Sequence, residues 1–268
     1  MKNDHVQLLD IEKVIAHKTG GRKLPGFVIG WIRKIIHQDF INDYLKEGYL
    51  GVDFCEHCLE YLHVKIDIEG LENLPEKGRY TFVSNHPLGG IDGVTLGAII
   101  GRRYDGHIKY LLNDFLTALE GMRSLGIPIN KVGNQARQLP ALVNEAFHSE
   151  NQMIIFPAGL CSRKIDGKIQ DLPWTKTFLM KSIETGRDIV PIHFIGQNSN
   201  RFYRVANLCK RFGLKFNLAM VLLPDELYKG QGKTFKVIIG KPVPHTRFDK
   251  SRSMKEWAQI LRKEVYEL

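Results

Sequence analysis

RYTFVSNHPLGGIDG, residues 79–93, is the stretch around which the rest of the chain can be organised. Arg79 to Ser84 is rich in β-branched and aromatic residues, as a buried strand requires. Asn85-His86-Pro87 ends that strand, because Pro87 has no N–H to give a ladder, and Gly89-Gly90 permit a tight turn. Gly93 to Ile100 continues with small and aliphatic residues that predict a helix. A strand, a glycine-rich turn and a helix in this order open an α/β unit. Such folds gather their reactive groups in the crevice beyond the strand ends.

The pattern extends in both directions. Val64-Lys65-Ile66-Asp67-Ile68 alternates strictly and predicts a half-buried strand. Further strands are predicted at Ile108–Leu112, near Ile127–Ile129, at Gln152–Phe156 and at Ile189–Phe194. Leu218–Leu223 and Phe235–Ile239 read as β-rich. Helices are predicted over Asp114–Arg123, Gln135–Ser149 and Thr175–Glu184, and from about Ser253. Residues 1–62 show no strand alternation and read as helical. The expected organisation is a helical region over 1–62 followed by an α/β domain over 63–268.

Composition bounds the partners. The 268 residues are 43% hydrophobic and 25% charged, which excludes a disordered or collagen-like chain. A net charge of +9 suits a polyanionic partner: nucleic acid, an anionic membrane face or an acidic carrier protein. The positive charge is spread along the chain and no RNA-binding signature is present, so nucleic acid is set aside. Cys55, Cys58, Cys161 and Cys209 are too few for a disulfide framework, and a reducing compartment is expected. Cys55-Glu56-His57-Cys58 has no second ligand pair, so it reads as helix packing and no metal is expected. The apolar runs are shorter than the roughly 18 residues a spanning helix needs.

His86 and Asp92 are the residues with chemical promise. A carboxylate behind a histidine fixes its tautomer and stabilises the imidazolium that forms when the ring takes a proton. Spacing alone leaves a second reading open, in which Asp92 caps the helix and His86 is an ordinary loop histidine.

Asn-His-Pro with a following Asp, after a strand reading TFVS, resembles the catalytic block of the PlsC-type glycerolipid acyltransferases. Three further blocks follow in the family's order. Gly126-Ile127-Pro128-Ile129-Asn130-Lys131 is similar to the second, which ends in a cation that holds the acceptor's anionic group. Phe156-Pro157-Ala158-Gly159-Leu160-Cys161-Ser162-Arg163 is similar to the third, F-P-E-G-T-R-S, and Val190-Pro191-Ile192 to the fourth. The resemblance covers about residues 63–195. It implies a mixed sheet with helices on both faces, with His86 and Asp92 as the catalytic pair. It further implies that Asn85, Lys131, Phe156, Pro157, Gly159, Ser162 and Arg163 contact substrate. The implied reaction moves a fatty acyl chain from acyl-carrier protein or acyl-CoA, as co-substrate, to the hydroxyl of a lysolipid, with no cofactor.

Three departures bear on the acceptor. Five residues separate His86 from Asp92 where the family usually has four. Ala158 replaces an acidic residue and Cys161 an arginine, leaving Arg163 as the nearest cation. These changes fit a lyso-amino-acid lipid at least as well as lysophosphatidate, and the strings HPLGGIDG and FPAG resemble the hemolysin-like, amino-acid-lipid branch. An N-acyltransferase and a catalytically silent lipid-binding protein are the alternatives.

Leu24, Phe27, Val28, Trp31, Ile32, Ile35 and Ile36 recur at helical spacing, interleaved with Arg33 and Lys34. That pattern predicts a basic amphipathic helix whose Phe27, Trp31 and Ile35 enter a bilayer interface, placing the protein peripherally on the cytoplasmic membrane face. Packing of the same helix on the core is the competing reading.

Overall fold

The computed structural model describes residues 3, 6–18, 20–21, 24–112, 116, 119–128, 134–213 and 218–268. Four helices come first: α1 (Ile11–Lys18), α2 (Gly26–Ile35), α3 (Gln38–Leu45) and α4 (Gly51–Tyr61). Then follow β1 (Lys65–Glu69), β2 (Tyr80–Ser84), α5 (Ile91–Arg103), β3 (Ile108–Leu112), α6 (Glu120–Arg123) and β4 (Gly126–Pro128). The chain continues through α7 (Asn134–His148), β5 (Gln152–Ile155), β6 (Arg163–Ile165), β7 (Lys168–Gln170), α8 (Thr177–Glu184) and β8 (Asp188–Ile195). It closes with α9 (Asn200–Arg211), α10 (Leu223–Lys229), β9 (Thr234–Ile239) and α11 (Met254–Tyr266).

Seven strands form one mixed sheet in the order β1-β9-β8-β2-β5-β3-β4. Its pairings are parallel except β8 with β9, and β6 and β7 make a separate antiparallel hairpin. Period-two alternation sends the strand side chains to opposite faces. Phe82, Ile154, Val190 and Ile192 pack on one face with Ile91, Leu96 and Ile100 of α5. Val83, Met153, Ile155 and Ile189 pack on the other with Phe147 of α7, Leu179 of α8 and Leu261 of α11. Helices thus cover both faces of the sheet.

Leu9, Ile36, Tyr44 and Phe54 belong to the same apolar cluster as Phe82, Ile154 and Val237, so the N-terminal helices complete one face of the sheet. A Cβ on Gly97 of α5 would lie 2.6 Å from Cys55 Sγ on α4, which shows how closely these helices approach. Cys55 and Cys58 are buried in this region, and burial pushes both thiols up, Cys58 to about 12. Both belong to the apolar cluster between the N-terminal helices and the sheet.

One expectation changes. Leu218–Leu222 is a 3₁₀ turn leading into α10, not a strand. A six-residue apolar run is compatible with either state, and here Ala219 and Leu222 are buried against Phe202, Tyr203 and Ala206 of α9. The helix α9 is not among the predicted helices; it starts at the N-cap Ser199, whose Oγ accepts from Phe202 N at 3.3 Å, and buries Phe202, Tyr203, Ala206 and Cys209 along one face.

Candidate active site

The site lies beyond the C-terminal ends of β2, β5 and β8, which run side by side and in parallel. His86 is two residues past β2, Phe156 one past β5, and Asp92 sits in the first turn of α5. Asp92 is completely buried, and its side chain organises the loop between them. Oδ2 accepts from His86 Nδ1 at 2.9 Å, Leu88 N at 2.9 Å and Gly89 N at 3.1 Å, while Oδ1 accepts from Gly93 N at 2.9 Å. Gly89 has φ +76°, and this left-handed turn lets the longer loop close on the carboxylate. The five-residue spacing is therefore absorbed. Asp92 is not the N-cap, which is Gly90; it lies in the first turn, where it accepts from Gly93 N while holding the histidine.

With Nδ1 donating to Asp92, the Nε2 lone pair of His86 is the one left to accept a proton. Phe156 stacks on the imidazole, with ring centroids 4.0 Å apart and 25° between planes, restricting its rotation. The side chain keeps 19% of its surface accessible, enough for a substrate hydroxyl to approach. Burial alone would lower the His86 pKa, but the charge and hydrogen bond of Asp92, helped by Asp171, outweigh it and raise the net value. Burial works against the Asp92 carboxylate too, yet the His86 contact and the Leu88 and Gly89 amides hold it below the usual range. Paired with a buried carboxylate and still partly accessible, this imidazole can perform general-base chemistry.

The remaining predicted residues divide by role. Asn85 does not face the cleft: its Nδ2 donates to Phe194 O at 2.9 Å and its Oδ1 accepts from Phe194 N at 2.7 Å, joining the ends of β2 and β8. Pro157 gives its carbonyl to Thr175 N at 3.0 Å and Thr175 Oγ1 at 3.1 Å, and Gly159 makes a turn at φ +68°. Ser162 N donates to His86 O at 2.7 Å, and Ser162 Oγ donates to Asp171 Oδ1 at 2.6 Å. Arg163 is buried with its guanidinium 5.6 Å from the centre of Phe202, and Nη1 donates to the carbonyls of Cys161 and Ser162. Its charge opposes imidazolium formation at His86, and no carboxylate pairs with it among the described residues. Lys131 lies outside the described residues.

Sequence reasoning passed over Asp171, which the third block's altered ending gave no reason to single out. A cavity of about 450 Å³ also opens beside the loop, walled by Leu88, Ile91, Asn198, Glu226, Lys229 and Phe235; His86 is not in its lining.

On the membrane question the structure separates the three predicted anchor residues. Phe27 is 81% exposed and Trp31 62%, whereas Ile35 packs against the cluster of Cys161, Phe202 and Ala206. Ile35 is thus turned inward, toward the cluster that α9 forms with Cys161 and the turn over Leu218–Leu222. No helix among the described residues is long and apolar enough to cross a membrane.

The acyltransferase family model matches residues 13–268. The chain belongs to the acyltransferase family. A lyso-glycine lipid O-acyltransferase of Bacteroides thetaiotaomicron is 51% identical over 272 aligned positions, covering all of both chains. One of the same name from Phocaeicola vulgatus is 52% identical over all of this chain and 98% of its own. Among solved structures, the 1-acyl-sn-glycerophosphate acyltransferase PlsC of Thermotoga maritima superposes with a TM-score of 0.53 and 19% identity, over 81% of this chain and 77% of that one. At that identity the likeness speaks to fold, and it matches the PlsC-like mixed sheet described above. The protein is an acyltransferase.

Proposed function

We propose that this acyltransferase moves a fatty acyl group from the thioester of acyl-carrier protein or coenzyme A to the hydroxyl of a lyso-glycine lipid. The observation that carries the mechanism is the 2.9 Å contact of His86 Nδ1 with Asp92, which leaves Nε2 as the ring nitrogen able to take a proton. Nε2 takes the proton of the acceptor hydroxyl as its oxygen attacks the thioester carbonyl. The tetrahedral intermediate then collapses, the C–S bond breaks, and the thiolate leaves. Imidazolium returns a proton to the departing sulfur, so the base is restored in one cycle. A thiolate is a good leaving group, and no covalent enzyme intermediate is required.

The acceptor is inferred from the two full-length relatives and from Arg163. A glycine joined to its acyl chain through nitrogen leaves a free carboxylate. Arg163, buried beside the His86 loop and without an acidic partner among the described residues, is the cation we assign to it. The lipid acceptor also gives a reason for the exposed Phe27 and Trp31: they dock the protein on the bilayer interface with Arg33 and Lys34 beside them.

Purified protein incubated with lyso-glycine lipid and either acyl-carrier-protein or coenzyme-A thioesters should yield the O-acylated lipid by mass spectrometry. An amide product would identify an N-acyltransferase instead, and no product with either donor would identify a silent lipid-binding relative. In cells, deletion of the gene should cause the lyso-glycine lipid to accumulate.

A further inference from the structure

Asp171, on the segment following β7, is 1% exposed and has every polar group engaged. Oδ1 accepts from His86 N at 3.2 Å and Ser162 Oγ at 2.6 Å, and Oδ2 accepts from Trp174 Nε1 at 2.8 Å. Ser162 N in turn donates to His86 O at 2.7 Å. These bonds close a ring that grips both backbone groups of His86. Its outer side is fixed by α11: Asp171 N donates to Tyr266 Oη at 2.8 Å, and Arg262 donates to the Asp171 carbonyl at 2.6 Å.

A buried carboxylate needs compensation, and a helix cap or strand tie could have been made with a neutral side chain. The ring instead places an anion on the His86 main-chain amide, close enough for its charge to act on the imidazole. We propose that Asp171 is the positioning residue of the base: it holds the His86 backbone in register with Asp92 and adds a second negative charge that favours the imidazolium. The inference rests on the reading of His86 as the base.

The charged groups acting on His86 are Asp92 from α5, and Asp171 and Arg163 from the segments around the β6–β7 hairpin; Asp171 favours the protonated ring and Arg163 opposes it. Behind Asp171, burial raises the Tyr266 hydroxyl to about 12, so it stays neutral and accepts the Asp171 amide proton. His193 packs edge-on against that ring at 5.4 Å, and burial keeps its pKa low.

Asparagine at 171 keeps the volume and removes the charge. Its amide NH₂ must also face a donor, either Trp174 Nε1–H or the His86 and Ser162 pair. In the full-length Asp171→Asn protein, the His86 ring resonance, assigned by its loss in His86→Ala, should titrate at a lower pH than in the parent. Turnover should fall about 10- to 100-fold through misplacement of the ring, with KM little changed. A lowered melting temperature with an unmoved His86 titration would mean that Asp171 only holds the fold, and would overturn the proposal. If Asp171→Asn does not fold, Ser162→Ala supplies the opposite sign: with one donor gone the carboxylate is less neutralised, and the His86 midpoint should rise. An unmoved midpoint there overturns the proposal equally. The titration needs no turnover, so it stays separate from the reading of His86 as base, which fails if His86→Ala remains active.

Discussion

Asn85 and Phe194 exchange two hydrogen bonds, side-chain amide to main chain, at 2.9 and 2.7 Å. The Asn85 side chain thereby imitates one more rung of the β2–β8 ladder just where β2 ends and the His86 loop begins. Asn85→Ala strands the Phe194 N–H and carbonyl in a buried setting, at about 1–3 kcal/mol for each group left without a partner. The expected outcome is a clear drop in melting temperature together with a loss in kcat, because the loop leaves the strand at a different angle. KM for the acceptor should move little; a large rise in KM with normal stability would restore Asn85 to substrate contact.

His86→Ala should reduce turnover by about 10²–10⁴-fold while the protein stays folded, since general-base catalysis contributes that much. Asp92→Asn should be no milder. Its four accepted bonds leave no position for an NH₂ that does not face another donor, so the loop geometry and the histidine tautomer are lost together. The check is turnover normalised to folded protein, with a melting curve for each variant. Near-normal turnover in His86→Ala would end the assignment of the base.

Activity and stability should respond oppositely to pH near neutrality. His86 is raised above the ordinary imidazole value by Asp92 and Asp171, despite its burial. The neutral ring is the base, so kcat/KM should climb with pH through a midpoint above the usual value of about 6.5. The imidazolium is the form that the fold favours. Its stabilising contribution is complete below the unfolded-state value and disappears as pH rises through the folded one. Asp92 has the other sign: its contribution is present above the ordinary carboxylate range and is lost as pH falls through its depressed value. Paired rate and melting measurements between about pH 5 and 9 cover the histidine window. A rate limb centred below the ordinary imidazole value would contradict the assignment.

What the sequence shows and hides follows from the range of each signal. Alternation over Lys65–Glu69 and the apolar run over Tyr80–Ser84 are local, so these strands are legible and sit almost where expected. His86 and Asp92 are legible for the same reason, being six residues apart on one loop and helix start. The run from Leu218 is not, because only the buried face of α9 decides that it coils instead of extending. Asp171 is invisible for a related reason. Its meaning comes from His86, Ser162, Trp174 and Tyr266, which sequence places up to 95 residues away. Asn85 shows the converse hazard: a residue beside the catalytic histidine in sequence is turned away from it in space.

Helix α2 offers a controlled test of membrane docking. On α2, Phe27 and Trp31 project into solvent one turn apart, while Ile35 contacts the α9 cluster. Phe27→Asp with Trp31→Asp removes two exposed apolar groups and adds two negative charges beside Arg33 and Lys34. Binding to anionic vesicles should be lost and the melting temperature nearly unchanged, since neither side chain supports the core. Ile35→Asp should do the reverse. It deletes apolar packing and sets a carboxylate against Cys161 and Phe202, costing at least the roughly 2 kcal/mol of a mild core truncation. At about 2–4 °C per kcal/mol for a chain of this size, the melting shift is readily measured. Parent protein should also detach progressively as salt screens Arg33 and Lys34. Sedimentation with anionic and zwitterionic vesicles distinguishes the outcomes: if the Phe27/Trp31 double variant binds anionic vesicles as the parent does, α2 is not the docking element.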